Sequence, residues 1–173
     1  MKLSAYGITT DLPPGWEGRI TKRTAPARAS APVPSPSGAA GEATPGPRGT
    51  PGEVPNPVVH LANFALPEQR GDFGSGAVDL MGPDHVFVTL FEYGPESVGQ
   101  ALFSDQGMPT LRPSMFSPTA LQRTIRGQAG HQRFFTVADR AFSLYVVLGS
   151  HARAAILVPR ADRTLRATRI SPR

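Results

Sequence analysis

Apolar and polar positions along the chain fall into two patterned regions with an unpatterned tract between them. Lys2 to Thr9 and Trp16 to Lys22 look extended, and Leu12-Pro13-Pro14-Gly15 between them is a strong turn signal. This predicts an N-terminal hairpin within residues 1–23. From Thr24 to Pro57 the chain has no aromatic residue, leucine or isoleucine and holds nearly half of the 19 prolines. Such a segment cannot bury enough apolar surface to offset its ordering entropy. Residues 24–57 are expected to be a disordered Pro/Gly/Ala/Ser-rich surface loop, with polyproline character around Pro32, Pro34 and Pro36.

After the tract the period of a sheet returns. Val58 to Phe64 and Val86 to Tyr93 read as strands. In the second, Phe87, Thr89, Phe91 and Tyr93 share one face while Val86, Val88 and Leu90 share the other, so both faces are expected to be covered. Pro95 to Phe103 predicts a short helix with proline in its first turn, and Ser117-Pro118 predicts a capped helical turn. Gln132 to Val137 and Ala141 to Leu148 flank Ala138-Asp139-Arg140 and predict a second hairpin. Near the end, Ala154, Ala155, Leu157, Val158, Ala161 and Leu165 recur at helical spacing. They predict a helix over about 152–166, kinked or restarted at Pro159, and then an extended piece at Thr168 to Ile170.

These elements give an α+β fold: a central antiparallel sheet, a C-terminal helix packed on one face, and a long Pro-rich loop inserted after the second strand. A lone two-stranded hairpin is marginal in water, so the N-terminal hairpin is expected to dock on the sheet formed by residues 58–173 and to share one domain with it. A flexible tract of about 34 residues spans roughly 30 Å. That is enough to cross a small domain, or to let the hairpin reach a neighbouring subunit.

Composition changes this picture in three places. A chain of 173 residues is long enough for one domain with a real core. Cysteine is absent, which excludes disulfide frameworks, thiolate metal sites and thiol nucleophiles. The first residues lack an apolar run of signal-peptide length, and no apolar run reaches membrane-spanning length. The chain is therefore expected to be soluble and cytoplasmic, on its own or within a larger assembly. The net charge of +5 comes mostly from arginine spread along the chain. No aromatic residues are interleaved with the C-terminal arginines for base stacking, which argues against nucleic acid as a partner.

Residues 69–82, QRGDFGSGAVDLMG, overlap three familiar motifs. Arg70-Gly71-Asp72 would need an exposed loop tip to engage an integrin. Asp72-Phe73-Gly74 lacks the lysine and catalytic loop of a kinase. Gly74-Ser75-Gly76 lacks the lysine and hydroxyl of a phosphate-binding loop. The simplest expectation is that Gly71, Gly74 and Gly76 let the backbone turn tightly at left-handed positions. A ligand-lining loop over residues 71–85 is the alternative, with Gly74, Ser75, Asp79 and His85 as its candidate residues.

No catalytic residue is assigned, because Ser75 lacks a nucleophile elbow and the carboxylates are scattered. His60, His85, His131 and His151 have no metal-helix spacing, so neither metal nor cofactor is assigned. His60 is expected to be a satisfied sheet residue. Arg160, Arg163 and Arg166 step by three along the predicted helix, a drift of about 60° per step, and form a basic strip opposite the apolar face. They are the candidate contacts for an acidic protein partner.

Leu12-Pro13-Pro14-Gly15-Trp16-Glu17, the late Phe/Tyr-rich hairpin and the ending LVPRADRTLRATRI together resemble the outline of PsbP-like domains. Those have an early Pro-Gly-Trp element, a central antiparallel sheet and a C-terminal helix leading to a short final strand. The chain departs from them in its Pro-rich insertion and in lacking an export signal. The resemblance implies a noncatalytic adaptor or assembly domain that binds protein or its own copies, and it carries over no functional residue. The reading from another class is a small-molecule-binding domain or enzyme that uses loop 71–85.

Overall fold

The computed structural model describes residues 1–22 and 56–173. Five antiparallel strands form the main sheet: β3 (Glu17–Lys22), β4 (Pro57–Ala62), β5 (Val86–Glu92), β6 (Ala129–Val137) and β7 (Arg140–Leu148), in the order β3-β4-β5-β7-β6. A smaller sheet joins the two ends of the chain. β1 (Lys2–Ala5) pairs with β2 (Ile8–Asp11), and β2 pairs with β8 (Thr168–Ile170), which follows helix α2 (Ala154–Arg166). The fold is α+β, with antiparallel sheets and a C-terminal helix on one face.

Strand alternation sorts the main sheet into two buried faces. On one, Val59, Leu61, Val86, Val88, Leu90, Phe142, Leu144, Val146 and Leu148 pack with Ile8 of β2 and with Leu157, Val158, Ala161 and Leu165 of α2. The other carries Ala62, Phe87, Tyr145 and Val147, and irregular segments cover it, with Leu66, Phe73, Ala77, Val78 and Leu121 packed there. α1 (Ser75–Val78) is a single turn within that covering. The helix does not end at Pro159, which lies on its solvent side, where water can satisfy the carbonyl that lacks a donor.

Several elements differ from the sequence expectation. Lys2 to Thr9 is not one strand but most of a hairpin, turning at Tyr6-Gly7 with φ of 52° and 73°. It does not pair with β3 and docks through β8 of its own chain, so the segment 23–55 follows the third strand. Apart from Asn56 and Pro57, the expected disordered loop lies outside the described residues. Lys22 and Pro57, on either side of it, are direct cross-strand partners, so the connection need not cross the domain. Pro95 to Phe103 forms two separate 3₁₀ turns, because Gly99 between them is left-handed at φ 85°. Ser117-Pro118 makes a turn rather than a helix, with the Ser117 hydroxyl accepting from the Thr119 amide. The β6–β7 hairpin turns tightly at Ala138-Asp139, both with positive φ.

At the edge between the two sheets, Glu92 and Arg140 are almost wholly buried. Arg140 grips Glu92 with two hydrogen bonds, Nε to Oε1 at 2.9 Å and Nη2 to Oε2 at 2.6 Å. The same guanidinium donates to the Tyr6 carbonyl in the β1–β2 turn and to the Ser171 carbonyl after β8. Arg173 adds two further donations to Glu92 Oε1. One arginine thus ties the main sheet to the backbone of the small one. Removing one member of a buried pair strands a charge and costs about 3–5 kcal/mol, whereas replacing both with apolar residues is close to neutral. Arg140→Met leaves Glu92 to Arg173 but takes the donors from the Tyr6 and Ser171 carbonyls, and is expected to lower the unfolding free energy by about 2–5 kcal/mol in urea titrations. The double variant Glu92→Leu/Arg140→Met is expected to recover only part of that loss, because the two carbonyls still lack their donor.

Candidate functional site

The irregular covering of the second sheet face leaves a cleft of about 320 Å³, lined by Gly71, Asp72, Phe73, Ser75, Val78, Leu121, Gln122, Arg123, Gln128 and Tyr145. Its position follows from how two loops are fixed to the sheet. A loop lying on a sheet must find partners for its buried backbone groups, and here buried polar side chains of the strands supply them. His60 on β4 and Thr89 on β5 both hydrogen-bond the Asp72 carbonyl, at 2.9 and 3.1 Å. Arg70 Nε donates to His60 Nδ1 at 3.2 Å, and this fixes the tautomer: Nδ1 accepts, so Nε2–H donates to Asp72. The ring of His60 stacks on Phe87 at 5.6 Å.

Two glycines let the loop lie this close. Gly74 is left-handed at φ 76°, and a Cβ there would meet the Phe87 ring at 2.3 Å. Gly76 lies where a Cβ would come within 2.2 Å of the Gln69 carbonyl oxygen. Of the three loop glycines, only Gly74 has the expected positive φ. Phe73 is then held parallel to Phe91 at 5.6 Å and edge-on to Tyr145 at 5.9 Å.

The opposite wall is fixed from the floor. Tyr145 on β7 accepts a hydrogen bond from the Gln122 amide at 2.9 Å. Burial pushes its phenol pKa up, and the Gln122 donor partly offsets this. Gln128 is buried and donates from Nε2 to the Val78 carbonyl at 2.8 Å, joining the two walls at depth. Its Oε1 is fully buried and has no hydrogen-bond partner among the described residues. At the mouth, Arg123 and Asp79 form an exposed ion pair that joins the walls a second time.

The candidate ligand residues separate on this geometry. Ser75 lines the cleft and Asp79 stands at its rim through Arg123, whereas Gly74 turns toward Phe87 and serves packing. His85 lies apart from the cleft lining: its Nδ1 accepts from the Gly82 amide and its ring stacks on Phe64 at 4.7 Å. No histidine therefore lines the cleft beside Ser75, and both ring nitrogens of His60 are engaged. Arg70 is held at the base of the loop by His60 and the Pro67 carbonyl, so Arg70-Gly71-Asp72 does not stand at a free tip. Arg160, Arg163 and Arg166 are exposed on α2, and Arg166 pairs with Asp162 at 2.7 Å. Phe73, Leu121, Gln128 and Tyr145 were not singled out from the sequence. The signal that could have found one of them is the alternation along β7, which puts Tyr145 and Val147 on the same face.

His60 makes the loop anchor pH-dependent. Burial, with Arg70 nearby, lowers its pKa from 6.5 to about 4, against the raising effect of Asp72. Arg19, its cross-strand partner, adds positive charge near Arg70. The folded state favours neutral His60, so this contribution is complete above pH 6.5 and is lost as pH falls from 6.5 toward 4. It amounts to about 3 kcal/mol. His131, half-buried on β6, is also shifted downward by burial, and it is unaffected by substitution at His60. His60→Gln is therefore expected to lower stability at pH 7 and to flatten its fall between pH 6.5 and 4, relative to the native chain in urea titrations.

Comparison with known proteins finds no family model, no curated protein and no solved structure that matches this chain. Among the described residues, no helix is long and apolar enough to cross a membrane.

Proposed function

We propose that this protein is a noncatalytic binding domain whose cleft beneath Phe73 and Leu121 takes a small molecule. The observation that carries the reading is a concave site whose accessible surface is mostly apolar, whose walls are fixed to the sheet by His60, Thr89 and Tyr145, and whose lining also carries polar side chains such as Ser75 and Gln128. Ligand sites have this composition, and a volume of this size suits a compact ligand. The cleft lies beside the loop that the sequence marked, but Ser75 belongs to it and His85 does not. Thermal-shift screening against neutral small molecules tests the reading. A ligand at a hundred times its Kd adds about 2.7 kcal/mol of stability. The stabilisation is expected to disappear in Val78→Trp, which fills the cleft, and to persist in His85→Ala. Loss in His85→Ala with retention in Val78→Trp would move the site elsewhere.

A second reading, an assembly domain with an acidic protein partner, draws support from α2. Arg160 and Arg163 are exposed there without an ion pair among the described residues, and Ile156 beside them is 50% exposed. The resemblance in sequence outline to PsbP-like domains favours the same role. Light scattering after size exclusion separates self-assembly from an outside partner. If α2 joins copies of the chain, Arg160→Glu/Arg163→Glu converts a multimer to a monomer and leaves the melting transition of the fold within about 0.5 kcal/mol, as for ordinary surface changes. A monomeric native chain directs the search to an outside acidic partner.

A further inference from the structure

Gln128 says what kind of molecule the cleft accepts. Its side-chain amide has one buried end satisfied and one not: Nε2 donates to the Val78 carbonyl, which fixes which end is which, and Oε1 is left as a buried acceptor. A buried acceptor without a donor is costly, and most such groups in folded proteins are satisfied. The residue is 4% exposed and is among those that line the cleft, while Oε1 itself is closed to solvent, so a donor bonds to it only with a small shift of the side-chain amide at the inner end of the cleft. Around it the surfaces are apolar and partly flat. Phe73 and Tyr145 meet at 79°, and Val78 and Leu121 complete the enclosure. The charged side chains at the rim, Arg123 and Asp79, already neutralise one another.

We infer that the ligand is a compact, neutral, flat molecule of about one or two fused rings, with an N–H or O–H donor on its buried edge that bonds to Gln128 Oε1. The inference rests on the reading of the cleft as a ligand site, and it adds the direction of the hydrogen bond and the charge of the ligand. Its donor would complete the amide, while the rings would lie against Phe73 and Tyr145, where aromatic edge and face contacts are favourable. An acceptor at the same edge would face Oε1 directly and be rejected. A cation would place its charge away from bulk water, and Asp72, the one carboxylate among the lining residues, is already engaged in an interaction of its own.

Indole and benzofuran are a matched pair of probes, alike in shape, with the ring N–H of one replaced by an oxygen in the other. Titrating each into the isotopically labelled full chain, with amide resonances followed by NMR, reads site and affinity together. The expected result is that indole shifts the amides of residues 71–78 and 121–128 and binds at least about fivefold more tightly than benzofuran, as for a neutral hydrogen bond. Gln128→Met, which removes the acceptor at similar volume, is expected to abolish that preference. Gln128→Glu keeps an acceptor and is expected to retain it, so the test survives if the methionine variant does not fold. Equal binding of both probes in the cleft of the native chain would overturn the donor assignment and leave the cleft as a binding site. Failure of both probes to perturb these residues at millimolar concentration would overturn the cleft reading and the assignment with it.

Discussion

The structure turns on one constraint: the main sheet is buried on both faces, yet among the described residues only one face has a helix of more than a single turn to cover it. α2 satisfies its own backbone and brings Leu157, Val158, Ala161 and Leu165 to its face as a ready apolar stripe. Irregular chain on the other face brings carbonyl and amide groups that need partners once water is gone. The sheet answers by placing polar side chains among its apolar ones. His60 and Thr89 converge on the Asp72 carbonyl, and Tyr145 receives the Gln122 amide. Each bond satisfies a loop group and fixes where that loop stands. Because the walls are fixed from below and join only through Gln128 and Val78 at depth and Arg123 and Asp79 at the mouth, a cleft stays open between them.

The same economy governs the junction of the two sheets. The β1–β2 hairpin and β8 offer little apolar area of their own, and a hairpin alone would be marginal. Arg140 supplies what packing does not, by donating to the Tyr6 and Ser171 carbonyls while its charge is balanced by Glu92. Thr168 works alongside it, bonding to Thr10 of β2 and to the Thr164 carbonyl near the end of α2. β1, β2 and β8 are thereby held to the main sheet by buried polar contacts, and among the described residues nothing packs on the face of α2 toward solvent.

What could be read from the sequence was whatever a short period encodes. β5, the β6–β7 hairpin, α2 and the closing strand stood out because alternation or helical spacing ran through them without interruption. The Tyr6-Gly7 turn did not, since a tyrosine in a left-handed position gives no turn signal and Lys2 to Thr9 passed for one strand. The expected helix at Pro95 to Phe103 failed at Gly99, where one left-handed residue divides two 3₁₀ turns. The site was only partly visible for a different reason. Gly74 and Ser75 drew notice as a motif, but one proved to face Phe87 and the other the cleft. Leu121, Gln128 and Tyr145 are far from that motif along the chain, and only the sheet order brings them beside it.

The central claim is that the cleft exists before any ligand arrives, because its walls are fixed to the sheet. Amide hydrogen exchange tests this most directly, at Gly74, whose N–H donates to the Gly71 carbonyl, and at Gln122, whose N–H donates to Tyr145. If the walls are fixed, both amides exchange at least about a hundredfold more slowly than unprotected exposed amides, as expected for groups that open only in a minor population. Exchange at the unprotected rate at both positions would mean that the loops move freely over the sheet, and the account of a preformed site would be wrong.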